Sequence, residues 1–183
     1  GAKVLKVDDV ADVESWKDVP GVKAIWVNSP CNPTGAVLAA EQMAAIVAAA
    51  RGIGAVVLSD ECYALMQWGN VDVEADADTL ASTPCALRPD VCGGSAQGVL
   101  VLYSLSKQSN MAGYRTAFIA GDKSLIVPMT AYRKQIGQII PGPVPAAMAV
   151  GLRDLESVKA QRKRYANRLG ILVSALRAYG YCT

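Results

Sequence analysis

Histidine is absent from the 183 residues. That removes Ser-His-Asp triads, Cys-His dyads, HExxH zinc sites and every mixed Cys/His metal site. Excess charge is nearly absent as well, with 18 Lys and Arg against 16 Asp and Glu for a net +2. So small an imbalance gives no reason to expect nucleic acid or anionic lipid as a partner. The five cysteines are odd in number and contain no CxxC pair. A disulfide framework is therefore not expected, and a reducing cytosol fits. No apolar run reaches membrane-spanning length, and Gly1–Val7 does not read as a signal peptide. What is present is an ordinary globular composition, 52% hydrophobic and rich in Ala and Val. It is long enough for one sizeable core and short for two domains.

Apolar runs bounded by turn residues organise the chain. Lys3–Val7 alternates weakly and suggests a short edge strand. Asp8–Asp18 is acidic, with Val10, Val13 and Trp16 at three-residue steps, which fits one or two helical turns. Val22–Asn28 is a second run, stopped by Pro30-Cys31-Asn32-Pro33, which cannot continue a sheet ladder. Ala39–Arg51 reads as a helix with Met43, Ile46, Val47 and Ala50 on one face and Gly52 as its C-terminal cap. Ala55–Ser59 is the next strand, so the pair with its helix forms a βαβ unit with parallel strands. Gly52-x-Gly54 is not a dinucleotide loop, because it precedes a strand instead of following one.

Gly69–Gly98 shows no steady period and reads as a surface excursion with at most one helical turn. Val99–Tyr103 is a continuous β-branched run, the pattern of a buried parallel strand. Thr116–Ala120 returns after so short a loop that an antiparallel neighbour is expected. Ser124–Ile136 reads as a helix despite Pro128, and Pro141-Gly142-Pro143 interrupts. Ala146–Tyr179 then carries Leu152, Leu155, Val158, Tyr165, Leu169, Leu172 and Leu176 at helical spacing. Its basic stretch, Lys159 to Arg168, holds one aromatic, Tyr165, where a base-stacking platform needs several, and reads as a solvated face.

The chemistry gathers where strands end. Ser104-Leu105-Ser106-Lys107 follows the buried run Val99–Tyr103, so a lysine arrives at a strand's carboxyl end, where ligands sit in open α/β sheets. A lysine desolvated there is a nucleophile for carbonyls. Arg115, eight residues on, offers an anion clamp. On these residues alone, an ordinary surface lysine in a turn accounts for the pattern equally well. Asn32-Pro33-Thr34-Gly35 follows one strand, and Ser59-Asp60-Glu61-Cys62-Tyr63 ends another.

NPTG, then Asp-Glu-x-Tyr, then Ser-x-Ser-Lys with an arginine beyond, in this order and each after a strand, resembles the fold-type I pyridoxal phosphate enzymes of aminotransferase class I/II. The wording at DVCGG (90–94), SLSKQSNMAGYR (104–115) and PGPVPAAM (141–148) is most similar to succinyldiaminopimelate aminotransferases of actinobacterial type. The resemblance runs from Gly1 to about Gly151. It implies an α/β fold, a mostly parallel sheet with helices on both faces and one antiparallel strand. Residues 1–151 would belong to the large cofactor-binding domain, and 152–183 would be a long helix leading toward a small domain beyond the chain. Members are considerably longer than this chain, which therefore reads as the middle of an enzyme.

The resemblance also assigns roles. Lys107 would attach the cofactor and move a proton at the substrate carbon. Asp60 would pair with the pyridine nitrogen; Tyr63 and Asn32 would donate to the ring oxygen. Arg115, Ser104 and Ser106 would grip the phosphate. The Asn32–Pro33 bond is expected to be cis. Read without the resemblance, Asp60 is a cap after a strand, Tyr63 a core aromatic, Asn32 a turn residue and Arg115 a surface ion pair. Cys31 and Cys62 read as small buried fillers. The ring-stacking aromatic and the substrate-carboxylate arginine of that family would lie outside the chain. Leu65-Met66-Gln67 and Tyr103 depart from its usual wording and leave the substrate open. The expected partners are amino acids and 2-oxo acids, in a cytoplasmic homodimer, on analogy alone. A carbon–sulfur β-lyase and an inactive truncated fragment are the rival readings.

Overall fold

Alternating burial sets the first strand of the computed structural model, which describes residues 1–67 and 84–181. In β1 (Ala24–Asn28), Ile25 and Val27 turn inward while Ala24 and Trp26 stay exposed. β2 (Val56–Asp60) alternates in the same way, and β3 (Val99–Tyr103) begins with three consecutive buried residues. These three strands are neighbours and run parallel, with Asn28 opposite Asp60 and Asp60 opposite Leu102. β4 (Phe118–Gly121) lies antiparallel to β3, giving the order β1-β2-β3-β4. The mostly parallel α/β sheet with one antiparallel strand is thus as the sequence predicts.

The helix α1 (Ala40–Gly52) connects β1 to β2 and buries Met43, Ile46, Val47 and Ala50. Those positions follow the i, i+3, i+4, i+7 rule and meet Ile25, Val27, Val57, Val99, Val101 and Trp16 in one core. Glycine is required at the end of β4. Gly121 has φ +138°, and a Cβ there would lie 2.0 Å from the Val99 carbonyl oxygen. Directly after it, Asp122 accepts from Gly98 N at 2.8 Å with one oxygen and from Ser124 N with the other. That second bond caps α4 (Lys123–Gln135), which contains Pro128 as expected.

Several expectations need correction. Lys3–Val7 forms no strand, because its weak alternation finds no ladder; Gly1 to Lys6 are all exposed. In Asp8–Asp18 only a 3-10 turn, Val13–Ser15, forms. Three-residue steps suit that tighter helix, and Trp16 is buried with Nε1 donating to Val10 O at 2.9 Å. Gly52 lies inside α1, and the left-handed residue that ends the turn is Gly54, φ +68°. The expected helix over Ala146–Tyr179 is two helices, α5 (Pro143–Arg153) and α6 (Leu155–Ala178). Asp154 parts them with non-helical φ −85° and ψ 69°, its carboxylate accepting from Ser157 N at 3.0 Å. An aspartate offers the backbone this alternative to continuing a helix. Of the excursion read over Gly69–Gly98, positions 69–83 lie outside the described residues, and the rest holds one helical turn, α2 (Pro89–Cys92). The short α3 (Leu105–Gln108) follows β3.

The chain forms two compact units. The first comprises Gly1–Glu61, Pro84–Tyr103 and Ala117–Ile139, and holds the whole sheet and the core. The second contains the described residues 62–67, 104–116 and 140–181, with α3, α5 and α6. Among the described residues no helix is long and apolar enough to cross a membrane, and none of the four described cysteines is in a disulfide. Cys31 and Cys62 are half-buried, not the buried fillers expected, because both stand in the turns that follow strands.

Candidate active site

In the first unit the carboxyl ends of β1, β2 and β3 share one edge of the sheet, since the three strands are parallel neighbours. Asp60 is the last residue of β2 and half-buried. Its carbonyl accepts from Ser29 N at 3.2 Å, extending the ladder past β1. Asn28, opposite it, has a buried Oδ1 without a hydrogen-bond partner among the described residues. Asn32 stands in the exposed turn that follows, closed by Cys31 N donating to Ala36 O at 2.8 Å. The Asn32–Pro33 bond is cis, and so is Ser29–Pro30, which the sequence reading did not foresee.

Glu61 was also missed. It is 2% exposed, with Oε1 accepting from Ser59 Oγ at 2.9 Å and from Ala86 N at 2.8 Å. The strand period held the signal, because Val57, Ser59 and position 61 share the inward face. Burial pushes the Glu61 carboxyl up, against the opposing pull of its hydrogen bonds from Ala86, Cys85 and Ser59. Burial, followed by the bond to Glu61, pushes the Cys85 thiol up to about 12. That thiol is no nucleophile at neutral pH.

The second unit holds the other candidates. Ser104 caps α3 and is buried; its Oγ accepts from Ser106 N at 3.1 Å and donates to Thr116 O at 3.0 Å. A hydroxyl has one proton, so in the 2.8 Å contact between the two serines Ser106 Oγ is the donor. The bond to Thr116 ties the loop carrying Arg115 back to the start of α3. Arg115 is exposed in the left-handed region, φ 49°, with Nη1 donating to Ala112 O at 3.0 Å. Thr116 is anchored further by Oγ1 donating to Met148 Sδ at 3.3 Å.

Lys107 departs from expectation. It is exposed, not desolvated at a strand end. β3 stops at Tyr103, and the Ser104 cap starts the short helix that carries Lys107. Its Nζ lies 5.3 Å from the centroid of the Tyr63 ring, cation–π range. Tyr63 itself opens the 3-10 turn Ala64–Met66, its carbonyl accepting from Met66 N at 2.8 Å. Among the described residues neither Lys107 nor Arg115 is in an ion pair. The structure thus brings Lys107 to Tyr63 and joins Ser104, Ser106 and the Arg115 loop, while Asn32 and Asp60 belong to the first unit.

As a donor set, an amine, a phenol, two serine hydroxyls and a guanidinium fit an aldehyde-bearing phosphate ester such as pyridoxal phosphate. Ser106 would have to turn its hydroxyl proton from Ser104 to reach a phosphate.

Residues 5–182 match the family described as aminotransferase class I and II. The chain is 43% identical over 181 residues to the 4-dedimethylamino-4-oxo-anhydrotetracycline transaminase OxyQ of Streptomyces rimosus, covering 99% of this chain and 46% of that protein. It is 38% identical to the probable aminotransferase Rv1178 of Mycobacterium tuberculosis, covering 99% of this chain and 40% of that one. The solved N-succinyldiaminopimelate aminotransferase of Mycobacterium tuberculosis superposes with a TM-score of 0.74 at 26% identity, over 93% of this chain and 42% of that chain. The chain therefore spans less than half the length of the relatives it matches.

Proposed function

Because the chain belongs to the aminotransferase class I and II family, we propose that it forms the cofactor-binding part of a pyridoxal phosphate-dependent aminotransferase. The reaction would move an amino group between an amino acid and a 2-oxo acid. The observation that carries this reading is Lys107 Nζ held 5.3 Å from the Tyr63 ring, on the short helix that follows β3. Pyridoxal phosphate, when bound, supplies the electron sink for charge developing at a substrate carbon.

The chain's own residues supply attachment and proton handling. Lys107 Nζ would be the attachment point and would take and return the proton at the substrate carbon. The Tyr63 phenol and the Asn32 amide donate to the ring oxygen. The Asp60 carboxylate would face the ring nitrogen and favour its protonated form. Arg115 contributes a permanent charge toward the phosphate, and Ser104 and Ser106 contribute hydroxyls. Residues 1–151 are assigned to the large domain and 152–183 to the connection leading on from it. The complete protein would be a cytoplasmic homodimer.

The substrate is a finer question. The relatives' names point to different substrates, a tetracycline intermediate for one and N-succinyldiaminopimelate for another. N-succinyldiaminopimelate in lysine biosynthesis is the narrower candidate that the sequence wording favours.

The test is chemical. The protein, incubated with pyridoxal phosphate and reduced with borohydride, should carry a stable adduct at Lys107 and no comparable adduct at its other lysines. Amino transfer should depend on an added 2-oxo acid. Pyruvate release from cystathionine without such an acid would instead establish the β-lyase.

A further inference from the structure

Arg162 has no part in the chemistry just described, yet it is 2% exposed in the middle of α6. Its Nη1 donates to the Leu65 carbonyl, and its Nη2 donates to the Gln67 carbonyl at 2.6 Å. Both acceptors belong to the turn that Tyr63 opens. Within that turn, Met66 N donates to Tyr63 O at 2.8 Å and Gln67 Nε2 donates to Ala64 O at 3.2 Å. The turn is thus closed on itself and fastened from outside through two carbonyls. A planar guanidinium suits two such carbonyls, whereas an ammonium on a flexible stem does not fix their spacing. Burial lowers the Arg162 pKa, so charge is held there against a desolvation penalty.

We propose that Arg162 is a positioning residue that acts through the turn at 64–67 to hold the Tyr63 ring against the Lys107 amine. A ring that opens a short turn moves with it, because its Cα is carried by that turn. If the two carbonyls are released, the ring tilts away from Lys107. This rests on the functional reading only for its consequence: the phenol sets the pH response of the lysine-bound cofactor.

The geometry can be read without cofactor. Lysines of the protein are dimethylated reductively with ¹³C-formaldehyde, and the Lys107 resonance is identified by its loss in Lys107→Arg. Ring current from Tyr63 should place it upfield of the other lysines, and Tyr63→Leu should return it to them. Arg162→Gln should move it most of the way back and Arg162→Lys part of the way. Arg164→Gln, an exposed neighbour on the same helix, should leave it in place. Arg162→Lys decides the case if Arg162→Gln does not fold. A Lys107 resonance that does not move from its parent position in a folded Arg162 variant would overturn the proposal, as would one that is not upfield in the parent.

A second readout separates this inference from the functional reading. With pyridoxal phosphate bound, the pH midpoint of the cofactor absorption should shift in Tyr63→Phe. It should shift in the same direction and by less in Arg162→Lys, and Arg162→Lys should add nothing in the Tyr63→Phe background. An additive shift would overturn action through Tyr63. A parent that shows the ring-current pattern but takes no cofactor at Lys107 would sink the aminotransferase reading and leave the positioning role supported.

Discussion

The two units bury different chemistry. In the first, Ile25, Val27, Ile46, Val47, Val57 and Val99 make an apolar interior, and the few buried polar groups, Ser29, Ser59 and Glu61, sit at or beyond strand ends. In the second, the described buried residues include Ala64, Leu105, Met148 and Val158, but also Ser104, Gln108, Thr116, Gln161 and Arg162. Apolar burial is non-directional, so the first unit gains stability from it without aiming any one side chain. Hydrogen bonds weaken steeply with angle, so the second unit's polar interior fixes where its loops lie. Tyr63, Ser104, Ser106, Lys107 and Arg115 all belong to that second unit. The comparison teaches that stability and placement are supplied by different parts of this chain, and substitutions should separate them.

The largest separation is expected at Lys107. Lys107→Ala should lower amino transfer by about 10²–10⁴-fold, the usual contribution of a positioned acid–base group. The melting temperature should barely move, because the side chain is exposed and in no ion pair among the described residues. Near wild-type turnover would end the proposed mechanism. Ile46→Ala should do the reverse. Ile46 is 0% exposed at the centre of the α1 face, and truncation there should cost about 2–5 kcal/mol, read from the denaturant midpoint. Below that midpoint the borohydride adduct at Lys107 should form in normal yield. If Ile46→Ala weakened the adduct well before unfolding, stability and placement would not be separable.

Legibility in the sequence followed the same division. The strands, the α1 face and the antiparallel return could be read because burial repeats with period 2 or 3.6, which Ile25/Val27 and Met43/Ile46/Val47/Ala50 obey. The helix break at Asp154 could not, since apolar spacing continues across it and only the cap geometry interrupts. For the site, motif order brought out Lys107 and Tyr63 before any contact was known. The exposure of Lys107 was not foreseeable from the strand pattern, because it depends on Ser104 capping a helix immediately after β3. Glu61 and Arg162 were passed over for a common reason. Each bonds to backbone groups far along the chain, Ala86 N for one and the Leu65 and Gln67 carbonyls for the other. Backbone partners leave no mark in residue type.

Glu61 offers a smaller, pH-dependent test, because it puts a titrating group inside the apolar unit. Its carboxyl is pushed above the ordinary 4.5 by burial, so the folded chain binds its proton more tightly than the unfolded chain. Stability from this group is therefore fully present below the unfolded value and is lost as pH rises through the folded one. Glu61→Gln keeps an acceptor for Ser59 and Ala86 and removes the titration. Its melting temperature should change less between pH 4 and 7 than the parent's, leaving the variant higher at pH 7 by about a few degrees. Parallel profiles for the two proteins would show that Glu61 is ionised at no cost, and the first unit's interior would be more polar than its packing suggests.

The smallest effect is expected at Asp154, where α5 ends and α6 begins. The carboxylate accepts from Ser157 N at 3.0 Å, and the Ser157 side chain, followed by this backbone bond, lowers its pKa. Removing it in Asp154→Ala leaves a first-turn amide of α6 without its cap. Hydrogen exchange at Leu155–Val158 should accelerate, while α1, whose N-cap amide of Ala39 donates to Gln42 Oε1 at 2.9 Å, should exchange as before. Asp154→Asn keeps an acceptor and should lose less protection than alanine. The protection is tied to a carboxyl with a depressed folded pKa, so it is present above the unfolded value of 3.8 and fades as pH falls through the folded one. Parent and Asp154→Ala should converge there. Alanine is also the best helix former, and the apolar spacing runs unbroken through this point. Slower exchange from Leu152 to Val158 in Asp154→Ala would mean that α5 and α6 had fused. The break would then be held by one side chain alone, and the second unit would owe its helix arrangement to a single directional bond, as its loops owe theirs to several.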